Sequence, residues 1–163
     1  MSAFFVRQAT LEDIKTVCSI LQEAALWLEQ RNMKLWGEQE ISAKVILPDL
    51  QSRLFYIAFI EDCAVGVVKF QTEDLAFWSD IPHQDSAFIH RLAVRRSFAG
   101  GSVSTALMTW AVNYSRQLGK RYLRLDCDAE RLNLRSVYEK FGFRHHSDKQ
   151  IGAYFVARYE YEI

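Results

Sequence analysis

Phe88 to Leu107 reads FIHRLAVRRSFAGGSVSTAL. Phe88, His90, Leu92 and Val94 alternate with Ile89, Arg91 and Ala93, and the run is mostly apolar on both sides. That pattern suits a strand buried in the middle of a sheet. A basic turn follows, then Gly100 and Gly101, after which Val103, Ala106, Leu107, Trp110, Ala111, Tyr114 and Leu118 recur at helical spacing. A strand that feeds a turn and then a helix start gathers unpaired backbone N–H groups and the positive end of the helix dipole at one point. Such a point suits a phosphate or pyrophosphate. The plainer reading is a Gly–Gly turn that only shapes an α/β connection.

Before this stretch, Phe4 to Arg7 forms a short strand, and Thr10-Leu-Glu-Asp13 is a capping box. Ile14, Val17, Cys18, Leu21, Ala25 and Leu28 then predict one helix to about Gln30. Trp27, Met33, Leu35 and Trp36 cluster at its end, either lining a pocket for an apolar part of a substrate or sealing the helix end. A second helix is expected over Glu38 to Leu47, stopped by Pro48. Leu54–Ile60 and Ala64–Gln71 read as a hairpin turning at Glu61 and Asp62, and Thr72 to Asp85 as a loop. After the stretch come a strand at Tyr122–Cys127 and a helix N-capped by Asn133 and closed by Gly142. Two strands, Phe143–His146 and Ala153–Tyr161, finish the chain. The order gives a mixed α/β sheet with helices on both faces. It is not a repeated βαβ series, and the GxGxxG fingerprint of a dinucleotide fold is missing.

A chain of 163 residues fits a single domain over 1–163 with one core. Lys plus Arg equal Asp plus Glu at 20 each, which argues against a dedicated nucleic-acid partner. Cys18, Cys63 and Cys127 are widely spaced, as in reduced thiols of a cytoplasmic protein. No apolar run approaches the roughly 20 residues that span a bilayer, and the N-terminus does not read as a signal peptide, so no membrane partner is expected.

Four pieces in the right order resemble the GNAT superfamily of acyl-CoA-dependent N-acyltransferases across nearly the whole chain. VRQATLEDI is similar to its first strand and helix start, and HRLAV to its fourth strand. FAGGSVSTALM occupies the place of its pyrophosphate loop, and VYEKFGF resembles its tyrosine-bearing helix and following strand. The loop departs from the family's R/Q-x-x-G-x-G/A pattern: Ala99 stands at the basic or amide position, and Ser102 and Ser104 at the two glycines. Serine leaves less room for phosphates but adds a hydroxyl, and Arg95 and Arg96 either restore charge or form a solvated basic turn. Arg131 stands where many relatives carry Asn, seven residues before the tyrosine, and helix capping accounts for Asn133.

The resemblance implies transfer of an acetyl group from acetyl-CoA, as co-substrate, to a primary amine of a small molecule or peptide by direct attack. It implies cofactor contacts at Leu92, Ala93 and Val94 through strand N–H groups, and at Ala99, Gly100, Gly101, Ser102, Val103 and Ser104 through the loop. Tyr138 becomes the general acid to the CoA sulfur, or else a core aromatic. For the base, His90 and Asp126 are favoured over Glu73 and Asp74, with a buried core histidine as the bland alternative for His90. Trp27 and Trp36 are the substrate-side candidates, and no metal is expected. A homodimer through terminal-strand exchange or sheet edges is compatible with the resemblance. The competing class is a non-catalytic acyl-CoA-binding module with a degenerate loop.

Overall fold

The computed structural model describes residues 3–33 and 36–163; Leu35 lies outside the described residues. The strands are β1 (Phe4–Gln8), β2 (Phe55–Ile60), β3 (Cys63–Gln71), β4 (Ser86–Val94), β5 (Tyr122–Asp128), β6 (Arg144–Ile151) and β7 (Tyr154–Glu162). The helices are α1 (Ile14–Glu29), α2 (Ala43–Gln51), α3 (Val103–Gln117) and α4 (Leu132–Phe141). The succession of strands and helices is the one expected from the sequence. The strands join one seven-stranded mixed sheet in the order β1-β2-β3-β4-β5-β7-β6. β1–β2, β2–β3, β5–β7 and β6–β7 pair antiparallel, and β4–β5 pair parallel.

The chain divides into two compact units. The first comprises Met1–Lys69 and Arg91–Met108. Its core joins α1 and α2 to strands β2 and β3 through Val17, Leu21, Ile46, Leu50, Phe55 and Val67. The second comprises Phe70–His90 and Thr109–Ile163, with Trp78, Phe88, Leu123, Phe143 and Tyr159 fully or almost fully buried. No helix of the described residues is long and apolar enough to cross a membrane.

Three local expectations need correction. The helix expected over Glu38–Leu47 is a 3₁₀ turn at Glu38–Ile41 followed by α2, which starts after Ser42 and runs through Pro48. A proline inside a helix costs one backbone bond. Here Ile46 and Leu50, one turn apart and at most 2% exposed, bury the face that holds the helix in place. Asn133 is not the cap of α4, because Arg135 N–H already bonds Arg131 O and makes Arg131 the N-cap. The Asp128 carboxylate accepts Glu130 N–H at 2.9 Å, so an Asx turn brings the chain into the helix two residues early. The last two strands also differ: β6 starts at Arg144 and runs on to Ile151, longer than expected, and β7 is shifted by one residue to Tyr154–Glu162.

Candidate active site

The turn between β4 and α3 belongs to the first unit. Arg91 has φ of +55°, a left-handed conformation that kinks β4 just before Leu92, Ala93 and Val94. A 3₁₀ turn at Arg96–Phe98 leads to Ala99, and Gly100 takes φ of +75° with open space around its missing side chain, so the turn demands glycine for its backbone angle. The first bond of α3 runs from Ala106 N–H to Ser102 O at 2.9 Å, which makes Ser102 the N-cap. Gly100, Gly101, Ser102 and Thr105 are exposed at this turn, where the first N–H groups of a helix point away from its own carbonyls. Such donors suit the oxygens of a diphosphate.

Two features place this turn that sequence reasoning missed. Gly66 in β3 faces the start of α3. A Cβ there would lie 2.9 Å from Leu107 Cδ1 and 3.0 Å from Ala93 O, so glycine lets strand and helix close up. The signal was present, as a glycine inside the apolar run AVGVVKF. The second feature is a ladder on α1 at i, i+4 and i+8. Ser19 Oγ accepts from Arg95 Nη1 at 2.8 Å, the Glu23 carboxylate accepts Arg96 N–H at 2.7 Å, and Trp27 stacks under the Arg96 guanidinium at 3.6 Å. Arg31 covers the same indole at 3.9 Å, so two cations lie over Trp27. Arg96 Nε is buried and has no acceptor among the described residues. Trp36 is partly buried against the core of this unit, with the Arg91 guanidinium 5.2 Å from its ring.

The second unit holds the titratable cluster. The parallel pairing of β4 with β5 covers Ser86–Phe88 and Tyr122–Arg124 and then stops. Beyond it, His90 on β4 and Asp126 on β5 face each other, with Nδ1 to Oδ1 at 3.5 Å. The loop after β3 brings in Asp74, 4% exposed, whose Oδ2 lies 2.7 Å from His90 Nε2. Asp74 Oδ1 accepts the Phe77 backbone N–H at 3.0 Å. That loop is fastened by Arg158 of β7, which is 3% exposed. Arg158 donates to Phe77 O at 3.0 Å, to both Asp80 oxygens at 2.7 and 3.0 Å, and to Ser147 Oγ at 2.9 Å. Its guanidinium also stacks 4.6 Å from the Trp78 ring. Arg158 carries no sequence signal within ARYEYE; only the fold reveals its reach.

Burial sets the electrostatics. It pushes the Asp74 carboxyl up, but the His90 hydrogen bond and charge and the Phe77 and Ala76 N–H groups outweigh it, and the net shift is downward. Asp126 goes the other way: burial raises it, Asp74 adds to the rise, and His90 and Arg158 oppose it incompletely. Its Oδ1 is buried without a hydrogen bond. Tyr138 is buried too, packed against Phe143 and Tyr159, and burial raises its phenol well above the ordinary tyrosine value. It therefore stays a protonated donor across neutral pH. Burial also pushes Cys127 up to about 12, so this thiol is no thiolate nucleophile.

Asp74, His90 and Asp126 bring ligand-type atoms within 4.8 Å of one another. Nε2 engages Asp74 while Nδ1 faces Asp126, so the carboxylates stand at different edges of the ring. As placed, the Nε2 lone-pair direction is taken by the Asp74 contact and not turned to a point between the two carboxylates. The arrangement suits movement of a proton better than coordination of a cation. His145 and His146 lie exposed on β6, with His145 bonded to Asp148.

Comparison with known proteins gives the family. Residues 19–143 match the model of the acetyltransferase (GNAT) family. The chain belongs to that family, whose reaction is acetyl-CoA-dependent N-acetylation. It is 27% identical over 150 residues to YesJ of Bacillus subtilis (strain 168), an uncharacterized N-acetyltransferase, with 86% of this chain and 81% of YesJ covered. In fold it is similar to a GNAT-family acetyltransferase of Listeria monocytogenes, with TM-score 0.83, 20% identity, and 100% of this chain and 98% of that one covered. It is also similar to the PaiA N-acetyltransferase of Thermoplasma acidophilum in complex with coenzyme A, with TM-score 0.75, 18% identity and 99% of both chains covered. A third likeness is to YncA of Salmonella typhimurium with acetyl-CoA, with TM-score 0.73, 13% identity, and 99% of this chain and 94% of that one covered.

Proposed function

We propose that this chain acts as one cytoplasmic catalytic domain that acetylates a primary amine of a small molecule or peptide by direct attack on acetyl-CoA. Acetyl-CoA, when bound, supplies the activated thioester. The N–H groups from Gly100 to Ser104 hold the diphosphate, helped by the α3 dipole and by Arg96, whose Nε has no other acceptor. Ala99 passes the chain from the 3₁₀ turn into those glycines. Backbone N–H groups in Leu92–Val94, just past the kink at Arg91, meet the thioester oxygen. His90 takes the proton that the acceptor ammonium must lose before nitrogen has a lone pair to attack with. The imidazolium so formed lies between the carboxyl groups of Asp74 and Asp126. Tyr138 donates its phenolic proton to the departing sulfur. Burial disfavours a lasting phenolate, so the second proton, which the nitrogen releases once its bond to the acetyl carbon forms, must return to Tyr138 in the same event, while the first leaves His90 for solvent.

The observation that carries this reading is His90, held by a buried carboxylate on one nitrogen and facing a second on the other, in a chain of this family. Cys127 itself, whose thiol burial raises to about 12, is no candidate for an acyl-enzyme nucleophile. Trp36 and the edge of Trp27 are the parts of the α1–α2 region assigned to the acceptor. The test is a panel of primary amines and amino-terminal peptides assayed for free CoA release. Tyr138→Phe is expected to lower kcat about 10- to 100-fold with little change in acetyl-CoA binding. Equal turnover by the variant would remove Tyr138 from the acid role. A protein that binds acetyl-CoA but turns over no amine would be a binding module.

A further inference from the structure

We propose that Asp74 is the positioning residue of the base: its carboxylate fixes the proton of neutral His90 on Nε2 and leaves Nδ1 as the nitrogen that accepts the substrate's proton. This inference rests on the proposed base role of His90. An ionised carboxylate only accepts, so the 2.7 Å contact from Asp74 Oδ2 requires Nε2 to be the donor. The downward shift of Asp74 keeps it ionised at neutral pH. The lone pair then falls on Nδ1, which points into the gap toward Asp126 Oδ1, 3.5 Å away and otherwise unpartnered.

The carboxylate cannot turn to undo this. Its Oδ1 is tied to Phe77 N–H at 3.0 Å, and the Asp74 carbonyl accepts Trp78 N–H at 3.1 Å. Arg158 holds Phe77 O and Asp80 in the same turn. A chain of fixed bonds therefore runs from β7 through the loop to the imidazole. The charged group facing the pair from β5 is Asp126, on which Arg158 of β7 acts in turn.

The clamp makes an unusual demand on Asp74→Asn. Phe77 N–H can only donate, so the Asn amide oxygen must occupy the Oδ1 position. The amide NH₂ then faces His90 and donates to Nε2, which drives the ring proton to Nδ1. A substitution of nearly equal shape should invert the tautomer and fill the nitrogen that has to be empty. The imidazole nitrogens of ¹⁵N-histidine-labelled protein report this directly by NMR, at a pH where the ring is neutral and with no substrate needed. The wild type is expected to carry Nε2–H, and Asp74→Asn to carry Nδ1–H. Turnover of Asp74→Asn should fall at least about 100-fold in kcat, with KM nearly unchanged, as expected for a base held in the wrong tautomer. A wild type with Nδ1–H, or the same tautomer in both proteins, overturns the proposal. If Asp74→Asn does not fold, the wild-type spectrum alone decides it. His90→Gln separates this inference from the reading beneath it. An inactive His90→Gln beside a fully active Asp74→Asn removes Asp74 and keeps the base. A fully active His90→Gln removes the base itself.

Discussion

The β4–α3 turn and the His90 cluster are built from different materials. The turn offers backbone N–H groups, which every non-proline residue carries, and it needs only a strand end, Gly100 with its positive φ and a helix start. The cluster is made of side chains from three places in the sequence, Asp74, His90 and Asp126, joined by distances of 2.7 and 3.5 Å. One site should tolerate changes of residue type where its backbone path is kept. The other should fail when a single atom is exchanged. Each departure from the family pattern in the loop replaces a side chain while leaving an N–H donor in place, which is why Ser102 and Ser104 are compatible with the role.

The sharpest way to break this contrast is His90→Gln. It should lower kcat by about 10²- to 10⁴-fold on any amine that the wild type acetylates, with acetyl-CoA binding by thermal shift unchanged. A loss of cofactor binding instead would mean that the two sites are not distinct in their chemistry.

Gly66→Ala tests the turn through its support. The new Cβ would press on Ala93 O and Leu107 Cδ1 at 3.0 and 2.9 Å. A loss of about 1–3 kcal/mol in urea unfolding is expected, with a raised KM for acetyl-CoA as the start of α3 is displaced. An unchanged KM would show that the donors do not depend on that contact.

Asp126→Asn sharpens the contrast in pH. An acid raised on folding binds more protons in the native state, so stability falls as pH rises from the ordinary value of about 4 toward the raised one. The wild type should melt lower at pH 8 than at pH 5 by more than Asp126→Asn does. An identical pH difference in the two proteins would place the ionisation elsewhere.

The smallest effect belongs to the loop. Ser102→Ala and Ser104→Ala should change KM for acetyl-CoA less than about threefold, because the backbone donors remain. A larger rise would give the serine hydroxyls a direct part.

The sequence alone determined the succession of strands and helices, the place of the turn before α3, and the membership of Tyr138 in a helix closed by Gly142. These are local matters: periodicity, glycine and capping act over a few residues, and the chain reports them directly. It pointed to His90 and Asp126 but could not rank Asp74, 16 residues before His90, as the third partner. Pro48 and Asn133 misled because tertiary burial and a neighbouring Asx turn outweighed their local preference. Only the tertiary structure decided that β4 and β5 stop pairing at Phe88 and Arg124, that Arg158 fastens the loop carrying Asp74, and that two cations lie over Trp27. Side-chain partnerships across the chain depend on where strands end and loops return, and those positions are fixed by packing of the whole molecule.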